Sequence, residues 1–308
     1  MVRDGNDKDN IYKINVKKHV DSKKIMVLVF MIVVLIGLIM VAKKSLEIIE
    51  QYSIYEQYEA QIVALRKQEE ERKAEIEREK ERIKQERIPK LTQNGRDNMQ
   101  NIYHSETKRV FLTFDDGPSS ITPTILDILK QEDVKATFFV LGSRVEAMPE
   151  TTKRIYEEGH YIANHGYSHS YSAIYSSPQA VLDEYNQCND AVKNAIGVQE
   201  YNSHLFRFPG GLPGGKYVEV KNQAKELLSQ NNILNIDWNA LSGDAETTNP
   251  TIEYEMNRIQ QTVANKSSVV ILMHDAQAKK VTAEALPQII SWLKESGYEF
   301  KNFYEIIK

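Results

Sequence analysis

The C-terminal two thirds of the chain predict a parallel β/α domain, and three features carry that expectation. Short apolar runs alternate with segments of helical period seven times between residues 109 and 303, the pattern of strands joined by crossover helices. Acids, histidines and glycines follow directly on those runs, where β/α folds gather their chemistry. The hydrophobic content of 41% supplies a sizeable core and excludes a wholly disordered chain. The alternation fits a closed or nearly closed barrel and an open doubly wound sheet alike.

The residues before that domain are patterned differently. Residues 25–42 form an uncharged run of 18, almost all Ile, Val, Leu, Met or Phe. At about 1.5 Å per residue such a helix crosses most of a hydrocarbon core of roughly 30 Å. Lys13, Lys17, Lys18, Lys23 and Lys24 precede it, and only Lys43 and Lys44 follow closely. The bias predicts a cytoplasmic tail over 1–24, a single transmembrane helix over 25–42 and an extracellular remainder. The run is long for a cleaved signal and no small-x-small site precedes Lys43.

Residues 43–90 predict a charged helical stalk. Pro and Gly are absent from 45 to 88, and residues 68–87 read QEEERKAEIEREKERIKQER, all good helix formers or close to it. Opposite charges spaced three and four apart, such as Glu69 and Lys73, support an exposed helix. Ile62, Ile76 and Ile83 share a heptad line that Glu69 interrupts. That leaves two readings open, a weak coiled-coil homodimer through the stalk and a solitary solvated helix. Pro89 ends the pattern, and the polar residues 91–106 read as a linker.

Strands are expected at 109–114, 136–141, 161–163, 205–208, 233–236, 268–273 and near 298–303. Helices are expected at about 122–131, 146–158, 178–196, 216–229, 252–265 and 283–296. The first strand runs into Asp115-Asp116-Gly117-Pro118, where adjacent acids repel unless a cation, a donor or a proton intervenes. The third leads to His165 and His169, four apart, a spacing that lets two imidazoles meet one metal. With a carboxylate they make a two-histidine, one-carboxylate set that leaves positions open for water and substrate. The fourth ends in Arg207-Phe208-Pro209-Gly210-Gly211. Arg207 sits among apolar neighbours and needs a carboxylate partner; the glycines let backbone N–H groups approach an anion. Asp237-Trp238-Asn239 and Ser242-Gly243-Asp244 follow the fifth strand, and His274 caps the apolar sixth. Each cluster alone has a structural explanation; four at successive strand ends point to a metal-dependent hydrolase. The net charge of -4 argues against a general nucleic-acid binder. The single cysteine, Cys188, excludes an intramolecular disulfide and reads as buried filler in a helix.

Taken together, these motifs closely resemble those of the polysaccharide deacetylase family, also called the NodB-homology domain or carbohydrate esterase family 4. The resemblance spans residues 107–308 and is similar in arrangement to membrane-anchored peptidoglycan N-acetylglucosamine deacetylases. It implies a distorted (β/α) barrel of about seven strands. It implies that Asp115 is the catalytic base and that Asp116, His165 and His169 bind one divalent metal, zinc by preference, with cobalt or nickel open. It further implies that Arg207 orients the base, Asp244 orients the acid His274, Leu272 lines the acetyl pocket and the Gly210 N–H serves the oxyanion. Two residues depart from the family pattern. Gly210 stands where tyrosine is common, and Ala245 follows Asp244 where an aromatic is usual; Trp238 is expected to restore some groove surface. The implied reaction is N-deacetylation of a cell-wall polysaccharide with release of acetate. An O-acetyl esterase and a non-catalytic wall-binding scaffold are the alternatives.

Overall fold

The computed structural model describes residues 22–308, and the chain divides into two compact units after Glu79. Most of the expected cytoplasmic tail, including Lys13, Lys17 and Lys18, lies outside the described residues.

The first unit is helical. Helix α1 spans Ser22–Glu86, 65 residues with none buried. Its apolar part is long and apolar enough to cross a membrane. The apolar side chains from Ile25 to Val41 are exposed along its length, a surface that water does not favour. Farther on, Arg72 grips both oxygens of Glu69 at 2.8 and 3.0 Å, while Lys73 lies 3.7 Å from the same carboxylate. Such fully exposed pairs add little, because water and salt screen them.

The second unit is a curled, parallel β/α sheet. In chain order its strands are β1 (Arg109–Asp115), β2 (Thr137–Val140), β3 (Tyr161–Asn164), β4 (Leu205–Phe206), β5 (Leu234–Asn235), β6 (Ala240–Leu241), β7 (Ser268–His274) and β8 (Glu299–Phe300). The sheet order is β5-β4-β3-β2-β1-β7-β6, with β8 pairing β1 off that path. Every strand pairing among the described residues is parallel, and none joins β5 to β6. The architecture is therefore a half-barrel of seven strands, open on one side, rather than a closed barrel.

Helices after α2 (Gln93–Gln100) fill the crossovers: α3 (Thr122–Gln131), α4 (Gly142–Ala147), α5 (Pro149–Glu157), α6 (Tyr171–Ile174), α7 (Pro178–Ile196), α8 (Val218–Gln230), α9 (Ile252–Val263) and α10 (Lys280–Glu295). The segment expected as one helix over 146–158 is two, because Pro149 occupies the first turn of α5 and Met148 before it leaves the helical region. Residues 91–106, read as a linker, carry α2. Met99 and Ile102 from this segment are buried, and Thr92 N–H donates to Ile307 O at 3.0 Å.

Side-chain alternation sets the layers. Along β1, Val110, Leu112 and Phe114 join the core beneath the helices, with Leu126, Leu129, Ile155 and Leu286. Phe111 faces the other way, into the concave side, against Phe139, Tyr161 and Phe303. Thr113 and Asp115 follow Phe111 on that concave face. The longest pairing, β1 with β7, runs from Arg109↔Ser268 to Asp115↔His274. The carboxyl ends of β1 and β7 thus bring an aspartate and a histidine side by side.

Candidate metal centre and active site

Asp115 is 2% exposed at the end of β1. Its Oδ1 accepts a 2.7 Å hydrogen bond from Arg207 Nη1. Arg207 is fully buried, and four hydrogen bonds, one of them to a carboxylate, offset its cost in desolvation. It also donates to Thr113 Oγ1 at 2.8 Å, Ile236 O at 3.2 Å and Asp237 O at 3.2 Å. Its guanidinium carbon lies 3.9 Å from the centre of the Phe139 ring. Burial drives the Asp115 carboxyl above its ordinary value, and the Arg207 charge pulls it part of the way back. A buried carboxylate with raised proton affinity suits a base.

Asp116 adopts φ +74° and His169 φ +56°, left-handed conformations that cost non-glycine residues about 1 kcal/mol or more. The turn aims three ligand atoms at one place. Asp116 Oδ1 lies 3.5 Å from His165 Nε2 and 3.3 Å from His169 Nε2. All three atoms lie within 4.8 Å of one another. Tetrahedral ligands about 2.1 Å from a zinc ion are separated by about 3.4 Å. Asp116 Oδ1 is also buried without a hydrogen-bond partner among the described residues, a costly state for a carboxylate unless a cation meets it. His165 Nδ1 lies 2.8 Å from Arg207 O; carrying the proton there, it donates to the carbonyl and leaves Nε2 a free lone pair. Burial lowers His165 to about 3, Asp116 opposing, so the ring is a neutral ligand. The residues present fit a divalent ion.

His274 is held by Asp244 twice. Asp244 Oδ1 lies 2.8 Å from His274 Nδ1, and Oδ2 accepts the His274 backbone N–H at 2.8 Å. Lys279 and Thr282 donate to Asp244 as well. Burial pulls the imidazole down, but the Asp244 hydrogen bond and charge, with Asp115 and Asp116, outweigh it and raise His274 to about 9. Leu272, two residues back along β7, is 9% exposed and shares the concave face by alternation.

Gly210 is exposed at φ +75°, and its N–H has no partner among the described residues. Trp238 packs on the concave core, 5.7 Å from the Arg207 guanidinium. A Cβ added to Gly211 would meet its ring at 3.0 Å. Beside the triad a cleft of about 370 Å³ is lined by Asp116, His169, Ser119, Ser143, Arg144 and Gln277.

Three residues were not anticipated. Glu184 on α7 accepts from Tyr167 N–H at 2.5 Å, Ser168 N–H at 2.7 Å and Ser168 Oγ at 2.6 Å, fixing the loop between the two histidines. Asp275, raised by burial to about 7, accepts from Thr122 beneath Gly117. Tyr171 leans on the His169 ring, centroids 5.5 Å apart. In the sequence, Glu184 is one acid among several on an amphipathic helix, and nothing local sets it apart.

The sequence profile of polysaccharide deacetylases matches residues 103–227. The putative polysaccharide deacetylase YheN of Bacillus subtilis is 34% identical over 210 residues, covering 65% of this chain and 70% of that one. A peptidoglycan-N-acetylglucosamine deacetylase of Bacillus cereus is 35% identical over 203 residues, covering 65% and 71%. The solved CE4 esterase of Streptococcus mutans superposes with a TM-score of 0.61 at 32% identity, covering 69% of this chain and 92% of that one.

Proposed function

The chain belongs to the polysaccharide deacetylase family, and from that premise we propose that it removes N-acetyl groups from N-acetylglucosamine of peptidoglycan, releasing acetate. The observation that carries the reading is the orphaned Asp116 oxygen facing two imidazoles, next in sequence to a carboxylate gripped by a buried arginine. Peptidoglycan is the substrate named for the Bacillus cereus relative and suits a site tethered at a membrane.

Asp116, His165 and His169 would hold the divalent ion, zinc by donor type. When bound, it supplies a Lewis acid that acidifies water and polarises the acetyl carbonyl. Asp115 takes the proton from the attacking water as a C–O bond forms at the acetyl carbon. Arg207 keeps that carboxylate turned toward the water and limits its rise in proton affinity. The Gly210 N–H donates to the acetyl oxygen as it gains charge; a single donor of this kind is worth about 3 kcal/mol. His274 delivers its Nε2 proton to the sugar nitrogen as the C–N bond breaks, and Asp244 keeps that imidazole charged until then. Acetate and a free amine leave. Leu272 and Trp238 supply apolar surface to the acetyl group and the glycan.

The test is acetate release by the full-length chain in detergent from N-acetylated peptidoglycan fragments, with mass loss of one acetyl per sugar. Acetate from O-acetylated fragments alone replaces this reading with an esterase. Glycan binding without acetate from either replaces it with a wall-binding protein.

A further inference from the structure

Tyr171 opens α6 two residues after the ligand candidate His169. It is 42% exposed, and its ring is held between two others. The His169 centroid lies 5.5 Å away, and Tyr175 meets it edge-on at 5.8 Å. Among the described residues its hydroxyl has no hydrogen-bond partner. The backbone opposite is cut back to admit it. A Cβ placed on Gly210 would lie 2.7 Å from the Tyr171 hydroxyl and 3.3 Å from Cζ, and the +75° φ of Gly210 disfavours any side chain there besides. Two unpartnered donors, the Tyr171 O–H and the Gly210 N–H, therefore stand together at the rim of the ligand triad, with an open aromatic face beside them.

We propose that Tyr171 is a substrate-contacting residue, its ring a wall for the apolar face of an N-acetylated pyranose and its hydroxyl a second donor to the acetyl oxygen beside Gly210. The inference rests on the deacetylase reading above and deepens it by naming what holds the sugar. A pyranose presents a C–H face ringed by hydroxyls, and an aromatic residue with a polar tip matches both parts. Its direct contacts are two rings and a glycine backbone, a lining that suits the neutral N-acetylhexosamine ring.

The test compares Tyr171→Phe, which keeps the ring and loses the donor, with Tyr171→Ala, which loses both. Full-length protein is assayed for kcat and KM on N-acetylglucosamine oligomers. Binding of the N-acetylglucosamine tetramer to metal-free protein is measured by calorimetry, and zinc affinity is measured for each variant. Tyr171→Phe lowers kcat about tenfold with little change in KM, the loss of one uncharged hydrogen bond. Tyr171→Ala also weakens tetramer binding about three- to tenfold, the loss of an aromatic contact. Zinc affinity stays at the wild-type value in both. Wild-type kinetics and tetramer binding in both variants overturn the inference while leaving the deacetylase reading intact. Zinc affinity that falls in step with turnover also overturns it, because Tyr171 then acts only by propping His169. A wild-type protein that releases no acetate removes the deacetylase reading and this inference together.

Discussion

Asp115 and Asp116 are neighbours in sequence with opposite surroundings. The first is enclosed, with an arginine on one oxygen; the second turns through a positive φ to face two imidazoles. Different roles follow from those environments and can be separated. Asp115→Asn and His274→Ala should each lower kcat by at least about a hundredfold while zinc content stays at one per chain; zinc lost along with turnover in Asp115→Asn would show the two acids exchanged. His274 gives a pH signature. Its pKa of about 9 predicts that kcat falls as pH rises through about 9, since the acid must be protonated. The sign for stability is the same. A histidine raised on folding contributes fully below its ordinary value of about 6.5, and the contribution is lost as pH climbs through about 9. Asp244→Asn removes the largest of the influences that raise it and leaves only Asp115 and Asp116 against burial, so the alkaline limb should move to lower pH. A limb unchanged in that variant contradicts the pairing.

At the scale of elements, register does the positioning. The seven-residue pairing of β1 with β7 ends at Asp115↔His274, and the β3 carboxyl end delivers His165 two strands away. This much was legible because long apolar strands end where the polar residues begin. Of the two-residue strands, β4 and β5 fall inside the expected runs at 205–208 and 233–236, whereas β6 was not legible, since two residues carry no alternation. Helix α2 was hidden in polar sequence, Met99 being its one large apolar side chain. The openness between β5 and β6 depends on pairings that no local pattern encodes. Glu184 lies 16 residues from Ser168, and only the packing of α7 brings them together. Glu184→Ala frees two N–H groups and the Ser168 hydroxyl in the ligand loop. Zinc affinity should fall about tenfold to a hundredfold, as for other outer supports of metal ligands, measured by competition with a chromophoric chelator; an unchanged affinity assigns the loop's order elsewhere.

In the whole molecule, a long apolar helix precedes a domain of the polysaccharide deacetylase family. The exposed side chains from Ile25 to Val41 are the physical reason to expect a membrane around them, and the lysine bias before residue 25 sets the expected direction of crossing. Full-length protein should stay in the membrane pellet after an alkaline carbonate wash, and protease added to intact cell-wall-stripped cells should remove residues 107–308. Protection of that domain contradicts the expected topology.

The central claim is that Asp116, His165 and His169 share one cation. Its most direct measurement is a zinc titration of the chelated full-length chain, followed by calorimetry, alongside His165→Ala and His169→Ala. The account predicts one zinc per wild-type chain, affinity lower by at least about a hundredfold in each variant, and acetate release that returns in proportion to zinc bound. No zinc uptake by the wild type, or uptake unaltered by either substitution, contradicts it.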